Sequence, residues 1–305
     1  MSLDEALDDA SVRAHLRRTA DVVGLAIDEI AAPRSRFVRV GDVRYHYLDW
    51  ETPALPVLFL HGYGLNAHTW DAVALGLSRD YRCLALDQRG HGRSDWGSRS
   101  DYTVEARALA ADTMLDVVGL DEVALVGHSM GALVGLSLAA RLRRRVAALV
   151  MVDASPFSSV SRSTGARFRE RTFESVDEAF ELVRRANPGR EPQVLRQNLL
   201  FNLRQLPDGE WTWRYDQRQE MLRPEDRGER NRKLIALLPD VTSPTLVVRG
   251  IRSEVVEAGP ADDFARALPN GRLMEIEDAG HNVQGDNPRR LAEVVSRFFD
   301  EISYR

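Results

Sequence analysis

The chain has 305 residues, of which 44% are hydrophobic and 29% are charged, and its formal net charge is −5. This composition is that of an ordinary globular protein, with enough chain for one large α/β domain that carries an insertion. The slight acidic excess excludes a polycationic surface, so we expect neither a nucleic-acid partner nor a membrane partner.

The single cysteine and the first residues both favour a cytoplasmic protein. Cys83 lies in an apolar run and is expected in a buried strand, and one cysteine cannot form an internal disulfide. The first residues are acidic and lack the apolar segment of a secretory signal. No stretch reaches the roughly 20 apolar residues that a membrane span needs. We therefore predict a cytoplasmic location.

Residues 1–33 are predicted to form an added N-terminal helix. Apolar residues recur there at spacings of three, four and seven, which places them on one stripe, and Pro33 would end the helix. The stripe could pack on the rest of the domain or on a second subunit, so a homodimer through this helix is an open expectation. The stripe residues are Val12, Leu16, Val23, Ile27 and Ile30.

Short apolar runs then alternate with stretches of helical length as far as Asp153. The first two runs are joined tightly through Gly41 and Asp42, which predicts an antiparallel hairpin. The alternation that follows predicts a doubly wound, mostly parallel sheet with its active site at the carboxyl ends of the strands. The predicted strands are 37–40, 43–49, 56–60, 82–87, 123–126 and 146–152, and the predicted helices are 69–77, 104–119 and 130–140.

The most informative stretch is 123–131, where a G-x-S-x-G pattern joins a strand to a helix. Gly127, Ser129 and Gly131 occupy its three defined positions. A serine in a tight, strained turn needs neighbours without side chains two residues away on each side. The following helix N-terminus offers free N–H groups to a developing oxyanion. The pattern therefore indicates a serine nucleophile.

This strand–serine–helix arrangement resembles the nucleophile elbow of the α/β-hydrolase family, and the resemblance covers roughly residues 36–303. It implies that Ser129 is the nucleophile. It also implies that His281, in a loop after the last predicted strand, is the catalytic base. The oxyanion hole would use the backbone N–H groups of Met130 and of Tyr63, which lies in a His-Gly-Tyr-Gly loop.

The carboxylate that orients the histidine is less clearly marked. Most family members carry it in a Gly-x-x-Asp segment after the penultimate strand, but Ser253 occupies that position here and Glu254 follows it. Asp153 ends the strand after the elbow helix, from which a subset of the family takes its acid. We predict that Asp153 is the acid, with Glu254 as the alternative.

The strand–helix alternation stops at residues 155–240, which predicts a helical cap inserted into a catalytic core of residues 34–154 and 241–305. The cap is rich in charged and aromatic residues, and a medium-sized, largely apolar substrate is the expected guest. Alternation within Trp211–Tyr215 resembles a strand. The core then resumes with predicted strands at 245–249 and 272–276 and helices at 260–268 and 288–302.

The predicted function is hydrolysis of a carboxylic ester or lactone through an acyl-enzyme. No His, Asp or Glu cluster has metal-ligand spacing, so we expect neither a metal nor a cofactor. A thioesterase, a C–C bond hydrolase or a cofactor-free peroxidase would have a similar elbow. A ligand-binding receptor with slow turnover is a further alternative, from a different functional class.

Overall fold

A central eight-stranded sheet organises the structure, a computed structural model that describes residues 9–27, 29–158, 171–219 and 224–303. The sheet order is β1-β2-β4-β3-β5-β6-β10-β11, with β2 antiparallel to both neighbours and all other pairs parallel. The predicted doubly wound, mostly parallel sheet is therefore confirmed. The strands are β1 (Arg34–Val40), β2 (Val43–Asp49), β3 (Pro56–Leu60), β4 (Arg82–Leu86), β5 (Val123–His128), β6 (Val146–Val152), β7 (Thr172–Phe173), β8 (Leu203–Gln205), β9 (Trp211–Trp213), β10 (Thr245–Gly250) and β11 (Gly271–Ile276).

Helices cover both faces of this sheet, and a hydrophobic cluster lies under each layer. The helices are α1 (Asp9–Val23), α2 (Asp71–Leu77), α3 (Val104–Val117), α4 (Met130–Arg141), α5 (Val176–Ala186), α6 (Pro192–Asn202), α7 (Pro224–Ala236), α8 (Ala258–Ala267), α9 (Val283–Asp286) and α10 (Pro288–Glu301). Helices α3, α4 and α8 pack on one face, and α2 and α10 pack on the other. Because both faces are covered, all six residues of β5 are buried.

The N-terminal segment is only partly helical, so the prediction of a helix through residues 1–33 was wrong about its end. Helix α1 stops at Val23, and Gly24 follows with a φ of +70°, a conformation that commonly ends helices. Ile30 lies in irregular chain, yet it packs with Leu16 of α1 against α2. Leu16 and Ile30 of the predicted stripe are thus buried within the chain, and Val12 and Ile27 pack beside them in partly buried positions. The first eight residues lie outside the described part.

The segment predicted as a helical cap lies between β6 and β10, and its described residues contain helices α5, α6 and α7. It also holds a small antiparallel sheet of order β7-β9-β8, so a purely helical cap is an incomplete description. The alternation predicted at Trp211–Tyr215 corresponds to β9, whereas β7 and β8, of two and three residues, were not predicted from the sequence. Residues 159–170 and 220–223 lie outside the described part of the cap.

Two further expectations concern the single cysteine, Cys83, and membrane-spanning segments. Cys83 is buried in β4, as predicted, and burial raises the pKa of its thiol, which keeps it protonated. Among the described residues, none of the helices combines the length and apolar character required to cross a bilayer.

We expect Leu16→Ala to lower the free energy of unfolding by about 2–3 kcal/mol. Leu16 of α1 is fully buried against α2 and against the segment that follows α1. Val22→Ala is the matched control on the same helix, since Val22 is 46% exposed and should change stability by less than about 0.5 kcal/mol. Urea denaturation of both variants measures this difference. Equal effects would show that the segment is not part of the folded core.

Candidate active site

Ser129 lies at the sharp turn between β5 and α4, with a φ of 51° and a ψ of −115°. Its backbone N–H donates a 3.0 Å hydrogen bond to the Val152 carbonyl of the neighbouring strand. A Cβ at Gly127 would lie 2.5 Å from the Gly131 carbonyl oxygen, and a Cβ at Gly131 would lie 2.1 Å from that of Leu60. The turn is therefore strained at the serine and closes only with glycine on both sides.

The predicted oxyanion donors lie beside this turn. Met130 is the first residue of α4, so its N–H has no acceptor within its own helix and lies at the positive end of the helix dipole. The His-Gly-Tyr-Gly loop passes close by, since a Cβ at Gly62 would lie 3.3 Å from Ser129 Cβ and 2.6 Å from His128 Nδ1. Tyr63 follows directly in this loop, and its ring is half-buried.

Two buried histidines hold the loop in place. His61 accepts the backbone N–H of Gln88 at Nε2, at 3.0 Å, and donates its Nδ1–H to the Gly62 carbonyl, at 2.8 Å. His91 accepts the Gly64 N–H at Nε2, at 3.2 Å. Burial lowers the pKa of His61 to about 4 and that of His91 well below its ordinary value. Both rings are neutral at physiological pH and act as hydrogen-bonding supports.

Asp153 and His281 are brought together by the structure. The His281 Nδ1 lies 2.7 Å from the Asp153 Oδ2, and the Asp153 carboxylate is fully buried. Gly250 at the end of β10 donates its N–H to the other carboxylate oxygen, at 3.1 Å. The His281 ring centroid lies 4.7 Å from that of His128, which precedes Ser129. The imidazole is therefore held beside the serine turn.

Glu254, the alternative acid, and the Ser129 hydroxyl are the other predicted groups to compare with the position of His281. Glu254 is exposed after β10 and, among the described residues, shares no hydrogen bond or ion pair with His281, whose Nδ1 is bonded to Asp153. Among the described residues, no hydrogen bond joins the Ser129 hydroxyl to His281. Such contacts in free enzymes are often long and shorten when substrate binds.

Ser253 makes a hydrogen bond that was not predicted from the sequence. Its hydroxyl donates to Asp153 Oδ2, at 2.6 Å, and accepts the N–H groups of Val255 and Val256, at 3.1 and 3.2 Å. Ser253 therefore stabilises the ionised carboxylate and the turn after β10 at the same time. The only signal for this was a hydroxyl residue at the position where most family members carry the acid.

The cap contacts the His-Gly-Tyr-Gly loop through Gln219. The Tyr63 hydroxyl donates to the Gln219 carbonyl, at 3.2 Å, and the Gln219 side-chain amide donates to the Gly90 carbonyl, at 3.0 Å. Arg107 of α3 donates to the Gln219 side-chain oxygen, at 2.7 Å. Burial lowers the pKa of Arg107 to about 10, which leaves its guanidinium charged at neutral pH.

A second cap contact reaches the loop after β11 that carries His281, which we call the histidine loop. Arg190 donates two hydrogen bonds to Asp286 Oδ1, at 3.0 and 2.7 Å. The other oxygen of Asp286 accepts the N–H of Gly280, which precedes His281, at 3.0 Å. The cap is thus linked to both loops that flank the serine turn.

In the described part of the chain, no group of three or more His, Cys, Asp or Glu residues could hold a metal ion.

Comparison with known proteins agrees with this architecture. A family model described as the alpha/beta hydrolase fold matches residues 56–288. Esterase Rv0045c of Mycobacterium tuberculosis is 32% identical over 98% of this chain and 99% of its own length. Its crystal structure superposes with a TM-score of 0.78 at 31% identity, covering 94% of this chain and 97% of that one.

A 3-hydroxybutyrate-oligomer hydrolase of Cupriavidus necator is 27% identical over 88% of this chain and 98% of its own length. The family match spans β3 to the start of α10, and therefore includes the serine turn, Asp153 and His281. Together with the sheet order and the strained serine turn, these similarities show that the chain belongs to the α/β-hydrolase family.

Proposed function

We propose that this α/β-hydrolase cleaves carboxylic esters, lactones included, with Ser129 as nucleophile, His281 as base and Asp153 as the acid that orients the base. The observation that carries the proposal is the 2.7 Å hydrogen bond between His281 Nδ1 and the buried Asp153 carboxylate, beside a strained serine turn. Similarity to an esterase over nearly the whole chain supports the ester as the bond cleaved.

The proposed reaction has two halves. Ser129 Oγ attacks the ester carbonyl carbon, and its proton passes to His281 Nε2 while Nδ1–H stays bonded to Asp153. The protonated Nε2 then gives this proton to the departing alkoxide, and the acyl group remains on Ser129. In the second half, water attacks the acyl-enzyme with His281 again as base, which releases the carboxylic acid and restores the serine.

The oxyanion of each tetrahedral intermediate is proposed to bind the backbone N–H groups of Met130 and Tyr63. The position of Met130 at the start of α4 supports this, because a helix N-terminus carries partial positive charge. The Tyr63 side chain helps to fix the position of this backbone N–H, because its hydroxyl donates a hydrogen bond to the Gln219 carbonyl of the cap. The cap would thereby influence the geometry of the oxyanion hole.

Asp153 is proposed as the acid in preference to Glu254 because its surroundings suit a buried anion. Three donors reach its two oxygens, namely His281 Nδ1–H, the Gly250 N–H and the Ser253 hydroxyl. A buried carboxylate is stable only when it is paired and hydrogen-bonded in this way.

Replacement of the nucleophile tests the reaction class. In Ser129→Ala, we expect steady-state hydrolysis of p-nitrophenyl esters of increasing acyl length to fall by at least about 10³-fold, because the acyl-enzyme cannot form. Ser100→Ala, at an exposed serine away from the turn, is the control and should retain full turnover. Wild-type protein that binds these esters without hydrolysing them would instead support the receptor alternative.

The two candidate acids can be separated by isosteric variants. We expect Asp153→Asn to lower kcat by about 10⁴-fold, because an amide cannot hold the histidine in the reactive tautomer. Glu254→Gln should leave kcat and KM unchanged, since this side chain is exposed. Steady-state kinetics on one ester measures both, and a reversal of the two effects would move the acid to Glu254.

Ser253 is expected to act as a positioning residue. Ser253→Ala should lower kcat by roughly tenfold with little change in KM, because loss of a hydrogen bond to a charged group costs about 1.5 kcal/mol or more. Ser253→Thr keeps the hydroxyl and should restore most of the rate. A fall in thermal midpoint with unchanged kcat would mean that Ser253 only stabilises the turn after β10.

A further inference from the structure

A second series of serine, histidine and aspartate lies at the other end of the sheet, outside the proposed active site. Ser35 is on β1, His46 is on β2, and Asp87 follows β4 directly. The Ser35 Oγ lies 2.9 Å from His46 Nε2, and His46 Nδ1 lies 2.7 Å from Asp87 Oδ2. The three side chains are therefore joined by consecutive hydrogen bonds in the order of a nucleophile, a base and an orienting acid.

The hydrogen bonds around Asp87 define which nitrogen of His46 carries a proton. Asp87 is buried and also accepts the backbone N–H groups of Ala67, at 2.7 Å, and Arg93, at 2.8 Å. Burial alone would raise the pKa of Asp87, but His46 and the Arg93 N–H outweigh it and leave that pKa well below the usual range. The ionised carboxylate accepts Nδ1–H of His46, which leaves Nε2 free to take a proton from Ser35.

Ser35 itself is exposed, unlike the two groups behind it. An Arg93 guanidinium nitrogen donates to the Ser35 Oγ at 3.1 Å, so the serine O–H points its proton to His46. The cation of Arg93 also favours negative charge that develops beside this oxygen. Ser35 thus has a base on one side, a cation on the other and solvent access.

An aromatic surface lies next to this hydroxyl. Phe37 is two residues after Ser35 and therefore on the same face of β1, and it is 42% exposed. Its ring centroid lies 5.1 Å from that of His46. The guanidinium groups of Arg44 and Arg93 lie 4.6 and 5.2 Å from the Phe37 ring centroid. An aryl group bearing partial negative charge would find both apolar contact and cations here.

We propose that Ser35 is a second activated nucleophile, which accepts the acyl group of small aryl esters at the edge of the sheet. Ser35 Oγ forms a bond to the carbonyl carbon, and its proton moves to His46 Nε2. The bond from that carbon to the aryl oxygen then breaks, and the proton leaves with the phenol. The product is an ester of Ser35, and the guanidinium of Arg93 stabilises the intermediate oxyanion.

The test uses the full-length Ser129→Ala variant, in which the proposed active site cannot form an acyl-enzyme. It is incubated with p-nitrophenyl acetate and digested with an endoproteinase that cleaves before aspartate. The peptide of residues 28–41 contains Ser35 as its only hydroxyl residue, so its mass reports the site of acetylation directly. We expect close to one acetyl group per chain on this peptide, with a matching burst of p-nitrophenolate.

Two further variants exclude simple surface chemistry. Adding Ser35→Ala should abolish the burst, and adding Arg93→Gln should slow acetylation by roughly tenfold through loss of the cation beside the oxyanion. Ser100 is the internal control, since it is an exposed serine whose hydroxyl is bonded to Ser98 rather than to a histidine. Its peptide should stay unmodified.

Acetylation of Ser35 and Ser100 to the same extent, or an unmodified 28–41 peptide, would overturn the proposal. The result is independent of the proposed esterase function, because the measurement is made without Ser129. Conversely, Ser35→Ala in the otherwise natural chain should leave steady-state ester hydrolysis unchanged. Failure of either proposal can thus be recognised separately.

Discussion

The candidate site depends on the hydrogen bonds that the buried carboxylate of Asp153 accepts. Asp153 follows β6 and accepts hydrogen bonds from the end of β10, from Ser253 and from His281 in the loop after β11. An unpaired carboxylate in this position would cost several kcal/mol. The segments that carry these donors must therefore pack together for the chain to fold, and the same packing assembles the proposed histidine–aspartate pair.

Close backbone contact makes this junction possible. A Cβ at Gly250 would lie 2.3 Å from the Gly280 carbonyl oxygen, so the end of β10 and the histidine loop meet only because Gly250 has no side chain. Ser129 and Asp153 both have positive φ values, 51° and 49°, directly after the adjacent strands β5 and β6. Strained residues of this kind persist where the surrounding structure leaves no alternative, and they are concentrated at functional sites.

The features that could be predicted are those encoded in local sequence. Continuous apolar runs defined the central strands, and the glycines at 127 and 131 defined the serine turn. Tertiary contacts decided the rest, such as the short cap strands and the exposed position of Glu254. The partners of His46 lie 11 and 41 residues away in the chain, so no local pattern could reveal its hydrogen bonds to Ser35 and Asp87.

The two serine–histidine–aspartate series differ in what surrounds them, and this difference explains why we assign them different chemistry. Ser129 lies at the N-terminus of α4, where backbone N–H groups and the helix dipole can stabilise an oxyanion through repeated cycles. Ser35 lies on an exposed edge strand, where a single arginine side chain must do this in contact with water. Electrostatic stabilisation weakens in high dielectric. We propose that a histidine oriented by a buried aspartate activates an oxygen in both places, and that the helix N-terminus is what would favour complete turnover at Ser129.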